Sequence, residues 1–165
     1  MTATVLLYGY GNPGRLDDGL GPALARELAA RRPGAGVTIE TGYQLQIEDA
    51  ALVAEHDVVV FADADTACEA PFELRRLEPR REMAFTTHSV SPEALLGLAH
   101  EHFGCQTEGY VLGIRGYCFN EFGETLSPGA RRNLAAASDF VHRALCDGSV
   151  ARNAVRTGRE GEDHA

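Results

Sequence analysis

Apolar residues in this chain fall into short unbroken runs that alternate with stretches of helical periodicity. Thr4-Val5-Leu6-Leu7-Tyr8 is continuous and ends in glycines, the pattern of a strand buried on both faces. A polar, glycine-rich loop follows from Gly9 to Gly21. Leu20, Ala23, Leu24 and Leu28 then recur at i, i+3, i+4 spacing up to the stop at Arg31-Arg32-Pro33-Gly34, which predicts a helix. Val37 to Thr41 reads as a second strand and Ile47 to His56 as a short helix. The strongest central strand is Asp57-Val58-Val59-Val60-Phe61-Ala62-Asp63, with a carboxylate at each end.

Further along, Phe72 to Leu77 alternates as an edge strand does, and Tyr110 to Ile114 reads as another inner strand. Ser91-Pro92 and Ser127-Pro128 each offer an N-cap with proline in the first helical position. The first opens a helix through Phe103; the second opens a long one through Leu134, Val141 and Leu145. Strands alternating with helices predict an α/β fold, a mostly parallel sheet covered on both sides. From Asp147 onward the chain has few apolar residues, three Arg and four Asp/Glu. The expectation is one domain over residues 1–147 and a polar, disordered tail over residues 148–165.

Composition narrows the function. The 165 residues are 44% hydrophobic and 24% charged, with 15 Lys+Arg against 24 Asp+Glu and a net charge of −9. That balance argues against nucleic acid as a partner, which calls for a basic face. It suits a cationic ligand or a site that concentrates a metal ion. The apolar runs fall far short of the ~20 residues that span a bilayer, so no membrane segment is expected. No basic segment precedes Thr4, so no leader is expected either. Cys68, Cys105, Cys118 and Cys146 form no C-x-x-C pair and read as free thiols of a cytoplasmic protein.

In a parallel sheet the chemistry lies beyond the carboxyl ends of the strands. Three segments qualify: Gly9 to Gly21, Asp63 to Thr66, and Thr86 to Ser91 ahead of a helix. Gly9-Tyr10-Gly11-Asn12-Pro13-Gly14 matches G-x-G-x-x-G literally, and Glu40 ends the second strand, so a dinucleotide-binding module of the Rossmann type is one reading. Against it, helical periodicity begins only near Gly19, and Pro13 removes a backbone donor. Asp17 and Asp18 also stand where a pyrophosphate would dock, and two carboxylates more than cancel the roughly half positive charge of a helix end.

One of those carboxylates is explained by helix capping, worth ~1 kcal/mol. The second, between glycines at a sheet edge, points to a metal site. Asp63 follows the most apolar strand and is expected to face the crevice, whereas Asp65 reads as a turn cap. His88 would complete an Asp/Asp/His set of the kind that holds zinc or nickel with open positions. His56, His100, His102, His142 and His164 fall on helices or the tail, and no base accompanies Cys68 as a nucleophile.

These residues form a pattern seen elsewhere. Gly9-Tyr10-Gly11-Asn12-Pro13-Gly14-Arg15-Leu16-Asp17-Asp18-Gly19-Leu20-Gly21 resembles the G-x-G-N-x-x-x-x-D-[DE]-G-x-G signature of the hydrogenase maturation proteases, which trim the C-terminal extension from the large subunit of [NiFe] hydrogenases. The strand ending in Asp63-Ala64 is similar to the second block of that family, and Thr87-His88-Ser89 before a helix to its third. The resemblance runs over roughly residues 4–146. It implies a three-layer α/β/α sandwich around a twisted sheet of about five strands.

Carried over residue by residue, it places the metal contacts on Asp18, Asp63 and His88, with Asp17 supporting the loop or acting as a base. The ion implied is nickel, carried by the substrate rather than held by the resting enzyme. The partner implied is the immature hydrogenase large subunit, and processing it requires no dimer, so a monomer is expected. The three residues would either only recognise the ion, a carboxylate activating the water, or use it to polarise the scissile carbonyl and acidify a bound water. Gly11-Asn12-Pro13-Gly14 also resembles peptidyl-tRNA hydrolase. That family continues with a basic, histidine-bearing segment, where this chain has Arg15-Leu16-Asp17-Asp18, and a charge of −9 is wrong for gripping phosphates.

Overall fold

The computed structural model describes residues 3–80, 90–151 and 153. Five strands, β1 (Val5–Tyr10), β2 (Val37–Gly42), β3 (Val58–Asp65), β4 (Phe72–Arg76) and β5 (Glu108–Arg115), form one sheet in the order β2-β1-β3-β5-β4. All neighbours run parallel except the edge strand β4, which is antiparallel to β5. Helices α1 (Leu20–Ala30), α2 (Asp49–Ala54), α3 (Pro92–Phe103) and α4 (Pro128–Asp147) cover it. The expected α/β sandwich with a mostly parallel sheet is what the chain adopts.

Both faces of the sheet are buried, which is why its inner strands read as continuous apolar runs. Leu7, Val60, Ala62 and Leu112 pack with Leu24, Leu134 and Val141 of α1 and α4. Leu6, Tyr8, Val59 and Phe61 pack on the other side with Val53 and Leu95 of α2 and α3. Both serine caps form: Ser91 Oγ accepts from Ala94 N–H at 3.1 Å and Ser127 Oγ from Ala130 N–H at 3.3 Å.

Of the boundaries that differ from the sequence reading, three bear on the site or the core. β1 runs on to Tyr10, and β3 runs on to Asp65, so Asp63 and Asp65 lie inside the ladder, opposite Gly113 and Arg115. Packed structure also passes residue 147: Ser149 and Val150, assigned to the polar tail, are buried, Val150 within the core. Residues 154–165 of that tail lie outside the described residues. Among the described residues, no helix is long and apolar enough to cross a membrane.

The order 2-1-3 puts a topological switch point between β1 and β3. The chain leaves β1 toward β2 on one side and returns to β3 on the other, which opens a crevice at their carboxyl ends.

Candidate functional site

Helix α1 is seated against β1 and β3 by glycine. A Cβ on Gly21 would overlap the carbonyl oxygens of Tyr10 and Ala62, and one on Gly9 would overlap that of Gly21. This close approach holds a single 3-10 turn, Leu16–Gly19, over the switch point. Gly9 of β1 and Gly21 of α1 thus serve helix–sheet contact, and two of the loop's donors are used internally. Asn12 N–H donates to Asp18 Oδ2 at 2.8 Å, and Gly14 N–H to Asn12 Oδ1 at 2.8 Å. With those amides taken by protein oxygens, the loop is not a phosphate cradle, which counts against the dinucleotide reading.

Neither adjacent aspartate caps a helix: α1 has Gly19 at its N-cap and no side-chain cap bond. Asp17 turns inward and is fully buried. Its Oδ2 accepts from Tyr117 N–H at 2.8 Å, Cys118 N–H at 2.9 Å and the Ser127 hydroxyl at 2.7 Å, and its Oδ1 from Ser127 N–H at 2.8 Å. Burial pushes this carboxyl up, but the four hydrogen bonds outweigh it and hold it below the ordinary carboxylate range. Of the two roles expected for Asp17, loop support is the one this geometry fits: it braces the β5–α4 connection and faces away from the crevice.

Asp18 turns the other way. It is half-buried, with one oxygen on Asn12 N–H, and its charge acts on Asp63. Asp63 extends from the face of β3 that also carries Val59 and Phe61, and its Oδ1 accepts from Ala64 N–H at 2.8 Å. Burial first, then the charges of Asp18 and Asp65, push the Asp63 carboxyl up to about 6, while hydrogen bonds from Ala64 N–H and Tyr10 pull the other way. Asp18 and Asp63 therefore lie near enough at the switch point for the charge of one to act on the other. Asp65 is a turn cap as expected, accepting from Ala67 N–H at 2.8 Å and Cys68 N–H at 3.1 Å.

Tyr10 is the residue that sequence reasoning missed. It was read as part of the loop, but it is the last residue of β1 and lies beside the Asp63 carboxylate. Burial, then the charge and hydrogen bond of Asp63, hold its hydroxyl well above the ordinary phenol range, so it stays a donor. The signal was there in the alternation: Leu6, Tyr8 and Tyr10 share a face, the one to which Val59, Phe61 and Asp63 belong. Glu93, in the first turn of α3, also acts on Tyr10 and pairs with Arg75 at 3.6 Å.

His88 lies outside the described residues. Among the described residues, no three His, Cys, Asp or Glu side chains are grouped to hold a metal ion. Cys68 is buried, and burial followed by the charge of Asp65 pushes its thiol up to about 11, which leaves it protonated and a poor nucleophile. Beside the site, a groove of about 380 Å3 is lined by Gly11, Pro13 and Pro22 and by Thr41 to Tyr43.

Several solved structures share this fold over most of their length. HycI, a [NiFe] hydrogenase maturation protease from Thermococcus kodakarensis, matches with a TM-score of 0.69 at 20% identity, over 87% of this chain and 92% of its own. A hydrogenase 2 maturation peptidase from a Thaumarchaeota archaeon matches at 0.63 and 22% identity, over 86% and 97%. The hydrogenase maturating endopeptidase HybD from E. coli matches at 0.62 and 22% identity, over 88% and 93%. The chain matches no protein-family model and no curated protein sequence. The resemblance read from the glycine–aspartate signature is thus borne out at the level of fold.

Proposed function

We infer that this chain is a hydrogenase maturation endopeptidase, which removes the C-terminal extension of the immature [NiFe] hydrogenase large subunit after nickel insertion. The observation that carries the reading is the proximity of Asp18 and Asp63 at the β1/β3 switch point, in a fold shared with solved maturation proteases. Nickel belongs to the substrate in this account. A carboxylate made unstable as an anion by burial and by a second carboxylate gains most when a divalent cation lies between the two. Carboxylate and imidazole both suit nickel(II).

His88 supplies the imidazole. Glu93 acts on Tyr10, so the first turn of α3 starts at the same edge of the sheet, and His88 precedes the Ser91 cap by only three residues, a reach of up to about 10 Å. In the reaction, Asp18, Asp63 and His88 bind the ion already seated in the precursor, and so admit only nickel-loaded chains. Tyr10 orients Asp63, and Asp17 fixes the loop that carries Asp18. Asp18, Asp63 and His88 would hold the ion against the scissile bond, where it would supply polarisation of the carbonyl and of a water. The four cysteines are free, as suits a reducing cytoplasm where the precursor is processed.

Incubation with nickel-loaded and nickel-free precursor, followed by mass spectrometry, tests this reading. Loss of the C-terminal peptide only from the loaded form is expected, and Asp18→Ala, Asp63→Ala and His88→Ala are each expected to abolish it. Undiminished processing by the three variants would remove the site. Failure to cleave, with tight binding of a dinucleotide or release of amino acid from peptidyl-tRNA, would put one of the alternatives in its place.

A further inference from the structure

The two edges of the sheet are built differently. β4 carries Glu73, Arg75 and Arg76 among its five residues, charges of the kind that keep an edge strand from pairing further. β2 is Val37-Thr38-Ile39-Glu40-Thr41-Gly42, with Glu40 as its one charged residue. Its ladder fixes which backbone groups are in use. Val5 N–H donates to Gly36 C=O at 2.9 Å and Gly11 N–H to Gly42 C=O at 3.0 Å, so the even-numbered residues turn their backbone groups toward β1. Ile39 and Thr41 therefore direct N–H and C=O outward, where no strand lies. Val37 faces outward as well, but its N–H is held by Gly34 C=O at 3.4 Å.

This open stretch ends at the groove beside the site. The groove is lined by Thr41 and Gly42 of β2, by Pro22 and Arg26 of α1, and by Gly11 and Pro13, which lead into the turn that carries Asp18. Arg26 is exposed, is the one charged residue lining the groove, and makes no ion pair among the described residues. The neighbouring acids are directed elsewhere. Glu27 stands one turn before Arg31, which pairs with Asp139 of α4 at 2.9 Å, and Glu40 acts on the Tyr8 hydroxyl on the opposite face of the sheet.

We propose that β2 takes the C-terminal extension of the precursor as a sixth strand, its main chain bonded to Ile39 and Thr41 and one of its carboxylate side chains set against Arg26. The proposal rests on the maturation-protease reading and names how the segment to be removed is held. Main-chain pairing accepts that segment whatever its other side chains. At the usual strand spacing an added strand lies ~12 Å from the line between β1 and β3, and about four extended residues cover that distance to the scissile bond. The shortness of the open edge favours this occupant over a second copy of the chain. A stable dimer buries about 800 Å2 on each partner, which Ile39 and Thr41 do not supply, whereas a substrate held also through its nickel needs only a weak second contact.

The test compares affinity for nickel-loaded precursor and for the same subunit lacking its extension, by surface plasmon resonance, together with steady-state processing of the precursor. Thr41→Pro removes an outward N–H that the ladder to β1 does not use, and Thr41→Val keeps it. Arg26→Glu reverses a charge at an exposed position, where folding is not at stake. Wild type and Thr41→Val are expected to bind the full precursor about fivefold or more tightly than the shortened subunit. Thr41→Pro and Arg26→Glu are expected to lose that preference, with KM raised by a similar factor and kcat little changed. No preference in wild type, or a preference kept by either variant, overturns the proposal. So does a wild-type dimer, seen by sedimentation, that Thr41→Pro dissociates without a change in KM. Wild type that prefers the full precursor but does not cleave it overturns the protease reading alone, and the two variants still decide the edge. Wild type that binds neither form overturns both.

Discussion

Asp17 and Ser127, 110 positions apart in sequence, are joined twice: the Ser127 backbone N–H and its hydroxyl both donate to the Asp17 carboxylate, at 2.8 and 2.7 Å. The same serine oxygen caps α4, so one side chain fastens the turn before α1 to the start of the last helix. Asp18, the next residue, points into the crevice instead. Two neighbouring carboxylates thus divide: Asp17 is fully bonded inside the fold, and Asp18 keeps one bond, to Asn12 N–H, at a half-buried position.

That division makes a paired prediction. Asp17→Ala leaves the N–H groups of Tyr117, Cys118 and Ser127 without their acceptor, which should cost on the order of 2–3 kcal/mol. Asp18→Ala gives up one bond at a half-buried position and should cost about 1 kcal/mol or less, yet abolish processing. Urea denaturation of the two variants measures the difference. Equal destabilisation would show that Asp17 is not the brace described. Because the folded pKa of Asp17 is lowered, its contribution is full above the ordinary carboxylate range and is lost as pH falls through the lowered value.

Asp63 carries the opposite sign. Its folded carboxyl titrates at about 6, above the ordinary 3.8, so the native state binds more protons between those values and stability falls as pH rises across that window. Above pH 6 the full cost stands, at most about 3 kcal/mol. Asp63→Asn removes the charge and should therefore raise the urea midpoint at pH 8 while stopping processing, with the gain vanishing below pH 4. A variant no more stable than wild type at pH 8 would contradict the burial argument.

Tyr10 supports the charged form of Asp63, so Tyr10→Phe should raise the Asp63 pKa further. The acid limb of the kcat/KM profile is then expected to move up by about half to one pH unit, with most activity retained at pH 8. A uniform loss at every pH would instead mark Tyr10 as a packing residue, because packing loss does not move a titration.

The inner strands and both capped helices were legible because each depends on local pattern: burial on two faces for β1, β3 and β5, and a serine before proline for α3 and α4. Asp18 and Asp63 were singled out in the sequence as carboxylates at the ends of strands and by the glycine–aspartate signature. Two things were not. Asp17 could not be assigned to Ser127 because no local rule links residues 17 and 127, and only the return of β5 beside β3 brings the α4 connection over the first turn. Tyr10 was hidden because glycines on either side made it read as loop, although β2 holds it in register with Gly42.

Gly21 ties the fold to the site. Alanine there gains about 0.8–1 kcal/mol of helix propensity, but its methyl would strike the Tyr10 and Ala62 carbonyls, which are backbone and cannot swing aside. Helix α1 must therefore lift from the sheet, at a net cost of about 1–3 kcal/mol. Lifting it carries Asp18, three residues earlier, away from Asp63. Two readouts should move together in Gly21→Ala: processing falls sharply, and the Asp63 carboxyl, followed by NMR, titrates lower because the charge of Asp18 has withdrawn. Gly36→Ala, where the nearest atom is 3.6 Å away, should change neither. If Gly21→Ala loses stability while the Asp63 titration stays near 6, the glycine serves packing alone, and the approach of α1 is not what sets the distance between the two carboxylates.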